Sequence, residues 1–187
     1  MDLVTLVLAC SLYTDNSIPY AMIQTGSRNN PLVVSVEGDT RSFKTISAAI
    51  RYTHRQISLG KNPEIGLMQI PNRWLSEVDA HVSDLFRPCK NVVVGTQILE
   101  KLRLQCQSFA AQNPKVTVPS CVLSRYKTKN PQNGLSYAYP IIRYAQSHPF
   151  NALVEKARDP GMLAAEKKPH FNHYAKKAEN KPSEDPF

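Results

Sequence analysis

The stretch Ala21-Met22-Ile23-Gln24-Thr25-Gly26-Ser27-Arg28-Asn29-Asn30-Pro31 decides how the chain is read. Its first half is apolar and follows Ser17-Ile18-Pro19, a helix start with serine as N-cap and proline in the first turn. The spacing predicts a helix from Ser17 to about Ser27. Gly26 marks the stop, since glycine takes positive φ without a Cβ clash. Pro31 ends anything still helical, because the residue before a proline is pushed out of the α region.

Working outward, Asp2 to Tyr13 carries Leu3, Leu6, Val7 and Cys10 at helical spacing and reads as a short amphipathic helix. Its apolar core is too short for a signal peptide and no Lys or Arg precedes it. Val7-Leu8-Ala9-Cys10 lacks the basic start and full apolar stretch of a lipoprotein cleavage box, so the segment is read as the first helix of the fold. Residues 32–39 are β-rich and end on the turn signal Glu37-Gly38-Asp39, which predicts a strand or hairpin near residues 32–40. Thr45 to Leu59 reads as a helix stopped by Gly60, Lys61 to Pro71 as a loop and turn, and Ser76 to Asp84 as a short helix. Asn91 to Cys106 places Val94, Ile98, Leu99, Leu102 and Cys106 on one side, the buried face of a long helix. Thr117 to Tyr126 and Tyr139 to Gln146 are predicted helices, the latter the last. The domain is expected to span residues 1–150. Residues 151–187 are polar, lysine-rich and punctuated by proline, and are read as a flexible tail.

The composition, 42% hydrophobic and 20% charged over 187 residues, suits one globular domain with a real core. The net charge is +8, of which residues 151–187 contribute only seven Lys/Arg against six Asp/Glu. A basic body suggests a polyanion: nucleic acid, anionic lipid or an acidic wall polymer. No stretch interleaves Lys/Arg with aromatics as a nucleic-acid face does, so nucleic acid is not the expected partner. No apolar run approaches the ~20 residues of a membrane-spanning helix. The four cysteines, Cys10, Cys89, Cys106 and Cys121, form no C-x-x-C pair and no histidine stands at zinc spacing, so neither metal nor cofactor is expected. Two disulfides in an oxidising compartment, with three pairings open, stand beside free thiols in a reducing one.

The chemistry enters through the order of four short motifs. Gly26-Ser27-Arg28-Asn29-Asn30-Pro31 comes first, then Gly66-Leu67-Met68-Gln69-Ile70, then Pro88-Cys89-Lys90-Asn91. Leu123-Ser124-Arg125-Tyr126-Lys127-Thr128-Lys129-Asn130-Pro131 follows, with Gly134 and Tyr139 beyond it. In this order they resemble the soluble-lytic-transglycosylase (SLT) type of lytic transglycosylase, in the lysozyme-like superfamily. The nearer match is the branch that accompanies bacterial type IV secretion and conjugation. The resemblance covers roughly Cys10 to Tyr144 and implies a mostly α, lysozyme-like α+β fold with a cleft between its helical parts.

It also implies a reaction. The family cleaves between N-acetylmuramic acid and N-acetylglucosamine in peptidoglycan and leaves 1,6-anhydro ends. One glutamic acid protonates the leaving oxygen and later takes a proton back, while the sugar's own carbon-6 hydroxyl replaces water. That glutamate stands where this chain has Gly26, which has no proton to give, so cleavage is expected to be lost or strongly impaired. Tyr126 matches the tyrosine that faces the catalytic acid. Met68 and Gln69 would line the floor of the glycan groove, with Asn72 and Tyr139 as further sugar contacts. Ser27 either orients the acid and touches sugar or bonds a free helix carbonyl. Trp74 either stacks on a sugar or anchors the core. Lys129 stands where the family often has glycine. Glu64, Glu37 and Asp39 are the carboxylates that could substitute for the missing acid by approaching the cleft. The resemblance favours a Cys10–Cys89 disulfide, leaving Cys106 with Cys121. It implies peptidoglycan strands, and secretion-channel subunits, as partners in the periplasm. A non-catalytic wall-binding or scaffold component of the secretion machine is the alternative.

Overall fold

The computed structural model describes residues 2–158. His170 and His173, whose near-metal spacing without acidic or cysteine partners reads as chance, lie outside the described residues. Seven helices surround a small sheet, as the sequence leads one to expect of a mostly α, lysozyme-like fold. The helices are α1 (Leu3–Cys10), α2 (Ser17–Thr25), α3 (Ile46–Ser58), α4 (Pro88–Gln112), α5 (Val118–Thr128), α6 (Leu135–Ser147) and α7 (Phe150–Arg158).

The axis of the molecule is α4, opened by Pro88 in its first turn. It buries Val92, Val94, Ile98, Leu99 and Leu102 against α1 on one flank and α5 on the other. A helix covered on two flanks needs apolar residues over a wide arc, which is why the face extends beyond the single stripe seen in the sequence. Helix α5, capped by the Thr117 hydroxyl, packs on α6, and α6 packs on α2. Helix α2 is thereby held with its C-terminal end beside the sheet.

The sheet is antiparallel, with β1 (Val33–Val36), β2 (Asp39–Ser42), β3 (Glu64–Ile65) and β4 (Ile70–Pro71) in the order β2-β1-β3-β4. Glu37 and Gly38, at φ 53° and 91°, form the tight turn between β1 and β2. Two positive φ values in succession give the turn whose twist matches that of a hairpin. Ile65 pairs with Ile70, so residues 66–69 form the loop of a second, minimal hairpin.

Several expectations are corrected. The loop read between Lys61 and Pro71 contains β3 and β4, strands of two residues that carry no period. The helix expected at Ser76–Asp84 is instead two 3₁₀ turns, Asn72–Glu77 and Val82–Phe86, separated by Asp79 in the left-handed region. Helix α6 starts at Leu135 rather than Tyr139 and runs through Pro140. It is not the last helix. Phe150–Arg158, which starts on the last residue of the expected domain and runs into the stretch read as tail, forms α7, and Phe150 is buried with its ring edge-on to Tyr20.

Cys10 pairs with Cys89 and Cys106 with Cys121, at Cα separations of 5.4 and 5.8 Å. The pairs lie 79 and 15 residues apart. Loop-closure entropy assigns such bonds about 4.5 and about 3 kcal/mol, with the longer ring worth more. Reduction with a thiol is expected to lower the melting temperature by more than 10 °C, and Cys106→Ala/Cys121→Ala to lower it less than Cys10→Ala/Cys89→Ala. Circular dichroism melts with and without reductant check both.

Candidate active site

Gly26 sits one residue past α2, its N–H donating to the Met22 carbonyl at 2.9 Å. Its φ is −88°, so this glycine is not there for left-handed backbone. Arg28 and Asn29, at φ 51° and 64°, make the reversal instead. A Cβ at residue 26 would stand 2.9 Å from the Met22 oxygen and 3.4 Å from Cγ of Gln69. The position where the family carries its acid therefore looks straight onto the Gly66–Gln69 loop.

That loop is built around Asn91 of α4, which is fully buried. The Asn91 amide donates to the carbonyls of Ile65 at 3.0 Å and Leu85 at 2.8 Å, and its oxygen accepts from the Met68 N–H at 2.8 Å. Gly66 lies against this amide at φ 73°, where a Cβ would come within 2.3 Å of the Leu85 carbonyl. Glycine is required there twice over, by conformation and by space.

Met68 is fully buried and its sulfur packs on Gly95 of α4, so its side chain supports the Gly66–Gln69 loop from beneath and does not lie on a surface that a glycan could touch. Gln69 takes φ 49°, which turns its side chain back. Its Nε2 donates to the Gly66 carbonyl at 2.8 Å and its Oε1 accepts from Ser35 Oγ. Tyr126, also fully buried, donates its hydroxyl to the Met68 carbonyl at 3.0 Å, and its own carbonyl accepts from Trp74 Nε1 at 2.9 Å. One chain of contacts thus runs from Gly26 through Gln69 and Met68 to Tyr126. Ser27 is buried, and its hydroxyl donates to the Ile23 carbonyl at 3.2 Å, closing the helix end. Trp74 is a buried anchor, with Lys129 Nζ 4.8 Å from its ring centroid. Lys129 itself adopts the left-handed cap conformation, φ 61°, at the position where the family often has glycine.

A polar row crosses the sheet beside this chain. Thr40, Ser35, Glu64 and Pro71 are opposed in successive strands, so their side chains share one face. Glu64 is ion-paired with Lys127 of α5. Using Glu64 as a stand-in for the missing acid would first require breaking its contact with Lys127. Glu37 and Asp39 pair with Lys61 at 2.8 Å and Arg41 at 3.5 Å. They line a separate cleft of about 600 Å³ between the first hairpin and α3.

The remaining sequence-derived sites divide. Asn72 is half-buried, its N–H bonded to the Pro63 carbonyl at 2.8 Å. Tyr139 is 48% exposed. Tyr137 is the residue that sequence reasoning missed: its ring lies 5.3 Å from Lys127 Nζ, beside Glu64. Two residues along a helix turn the side chain by about 200°, so Tyr137 and Tyr139 face opposite ways. The available signal was Gly134, whose N–H bonds Ser124 Oγ at 2.8 Å and locks the start of α6 against α5.

Burial pushes the Tyr126 and Tyr137 hydroxyls up, with the Glu64 charge adding to both, and burial pushes Tyr13 up to about 12. Each stays neutral in the fold at a pH where the unfolded chain ionises it near 10. The stability they contribute is complete below pH 10 and is lost as pH rises from there toward the folded values. The slope is about 1.4 kcal/mol per pH unit for each tyrosine. Urea midpoints at pH 8, 10 and 11 are expected to hold steady across the first pair and fall across the second.

No curated protein and no solved structure matches the chain. The sequence model of the transglycosylase SLT domain matches residues 8–139, which takes in Gly26, the Gly66–Gln69 loop, Asn91, Tyr126 and Tyr137. With well over half its length so matched, the chain belongs to the transglycosylase SLT family of lytic transglycosylase-type, peptidoglycan-acting domains.

Proposed function

We propose that this domain holds peptidoglycan glycan strands in the groove between the end of α2 and the second hairpin, and that it cleaves them poorly or not at all. The observation that carries this reading is Gly26: it stands against Gln69, on the chain of contacts that ends at Tyr126, with no side chain. Binding needs only the groove and its polar row, whereas proton transfer to the leaving oxygen needs an acid within hydrogen-bond reach. Ser27, Met68 and Gln69 then shape the groove, Asn72 and Tyr139 stand as outer contacts, and Tyr137 joins Tyr126 at its wall.

The two disulfides favour an oxidising compartment, and a wall substrate favours the bacterial cell envelope, which supports the reading of a periplasmic domain. The motif order at residues 123–139 favours a place beside a type IV secretion or conjugation machine, where local opening or gripping of the wall is useful. The expected domain of residues 1–150, extended by α7, is read as the body that works on the wall, and the polar remainder of 151–187 as an extension that meets channel subunits.

Sedimentation with purified, insoluble peptidoglycan tests the reading. The chain is expected in the pellet, and Gln69→Ala/Ser35→Ala is expected to weaken retention. A chain that stays in the supernatant is a scaffold with no glycan contact.

A further inference from the structure

We propose that the outward face of α3 is a docking surface for an anionic lipid bilayer. Residues 40–63 contain five Lys/Arg and no Asp or Glu. Ala49 and Thr53 of α3 are buried and Ile50, Tyr52 and Ile57 are half-buried against the core, which leaves the opposite face of the helix to solvent. Lys44, Ser47, Arg51, Arg55 and Ser58 follow one another at three- and four-residue steps and are all exposed. They form one stripe about 20 Å long, the length of a 13-residue helix. The serines between the cations are short and leave the guanidinium groups standing clear.

What marks this face is the density of its cations along one stripe, not unpaired charge alone, since Arg28, Arg87, Lys90, Lys115 and Arg143 are exposed elsewhere with no ion pair among the described residues. On the α4–α6 side, Lys101, Arg103, Lys127 and Lys129 each reach a glutamate. Arg41 and Lys61, at the margins of α3, reach Asp39 and Glu37. Lys44, Arg51 and Arg55 form no ion pair among the described residues. Arg55 and Leu59 also border the cleft that holds Glu37 and Asp39, but those carboxylates are engaged by Lys61 and Arg41, so the cations of the stripe keep their attraction for an anion that meets them together.

Two features choose the bilayer among anionic partners. The stripe is straight and outward, matching a flat array of headgroups better than a single ligand. Exposed aliphatics flank it as well: Leu59, 62% exposed, stands one turn beyond Arg55, and Ile46, 45% exposed, stands at the opposite end. A carboxylate polymer in water offers an aliphatic side chain nothing, whereas the boundary between headgroups and acyl chains offers it an apolar contact. Basic side chains near such a surface add their attractions, which fade within a Debye length.

Vesicle co-sedimentation of the full chain tests the proposal. It is expected to pellet with phosphatidylcholine vesicles containing about 30 mol% phosphatidylglycerol and not with phosphatidylcholine alone. It is expected to be released when salt rises from about 50 to about 300 mM. Arg51→Glu/Arg55→Glu is expected to lower partitioning at least about tenfold. Lys90→Glu/Lys115→Glu changes the net charge equally elsewhere on the surface and is expected to stay within about twofold of the parent. Leu59→Ser is expected to weaken binding without changing its salt dependence. Circular dichroism of each variant should match the parent, since every site is exposed. Equal losses in the two charge-reversed variants, binding to neutral vesicles, or retention by soluble polyglutamate with none by vesicles would each overturn it.

Discussion

Gly26→Glu is expected to release 1,6-anhydro-muropeptides from purified peptidoglycan about 100- to 10,000-fold faster than the chain with glycine, the range that a positioned general acid contributes. The backbone supports the substitution at φ −88°, where any L-residue is at home. It asks for one adjustment. The new Cβ would stand 2.9 Å from the Met22 carbonyl, closer than a Cβ approaches backbone, so the last turn of α2 must shift to admit it. Beyond the Cβ the side chain would pass Cγ of Gln69, which leads it toward the groove. Gly26→Gln separates chemistry from filling, because an amide of the same shape has no acidic proton and should leave release at the parental level. Chromatography of the soluble muropeptides reads both. Release by the parent chain equal to that of the glutamate variant would mean that another group supplies the proton, and Glu64, on the polar row, would be the first to replace.

Asn91→Leu is expected to be the most damaging single change away from the glycines. Leucine is close in size, so the loss is one of hydrogen bonds, not of packing. The Met68 N–H and the carbonyls of Ile65 and Leu85 would remain buried without the partner that now serves all three. At about 1–3 kcal/mol for each of the three stranded groups, the cost is on the order of 3–9 kcal/mol. A domain of this kind has only about 5–15 kcal/mol in total. Asn91→Asp keeps the acceptor for Met68 but turns a negative oxygen toward two carbonyls, and should cost as much. Urea unfolding measures the loss. Glycan retention of whatever folded protein remains should fall as well, because the Gly66–Gln69 loop takes its shape from this amide.

What the sequence revealed, and what it hid, follow from how far apart the interacting residues lie. The buried side of α4 and the turn at Glu37-Gly38 are local patterns, and both were legible. So was the order of the four motifs, which led to the family. The disulfide partners became legible only through that family likeness. Hidden were features that join distant parts of the chain or are too short to carry a period. The two-residue strands β3 and β4 are of the second kind. The Glu64–Lys127 pair is of the first, joining β3 to α5. Tyr139 was taken from the motif while Tyr137 entered the cluster, because a linear motif does not say which side of α6 packs against α5. Gly26 misled in another way: it ends a helix, as glycines do, yet needs none of glycine's conformational freedom.

The bond between Cys10 and Cys89 encircles everything from the end of α1 to the start of α4. Gly26, Ser27, Met68, Gln69 and Asn72 all lie inside that covalent hoop, while Tyr126 and Tyr137 approach from outside it. Oxidation therefore ties the end of α1 to the start of α4 and shortens the loop in which the Gly66–Gln69 turn must form. In a reducing space the hoop stands open, so the covalently tied form is the one that an oxidising space would hold.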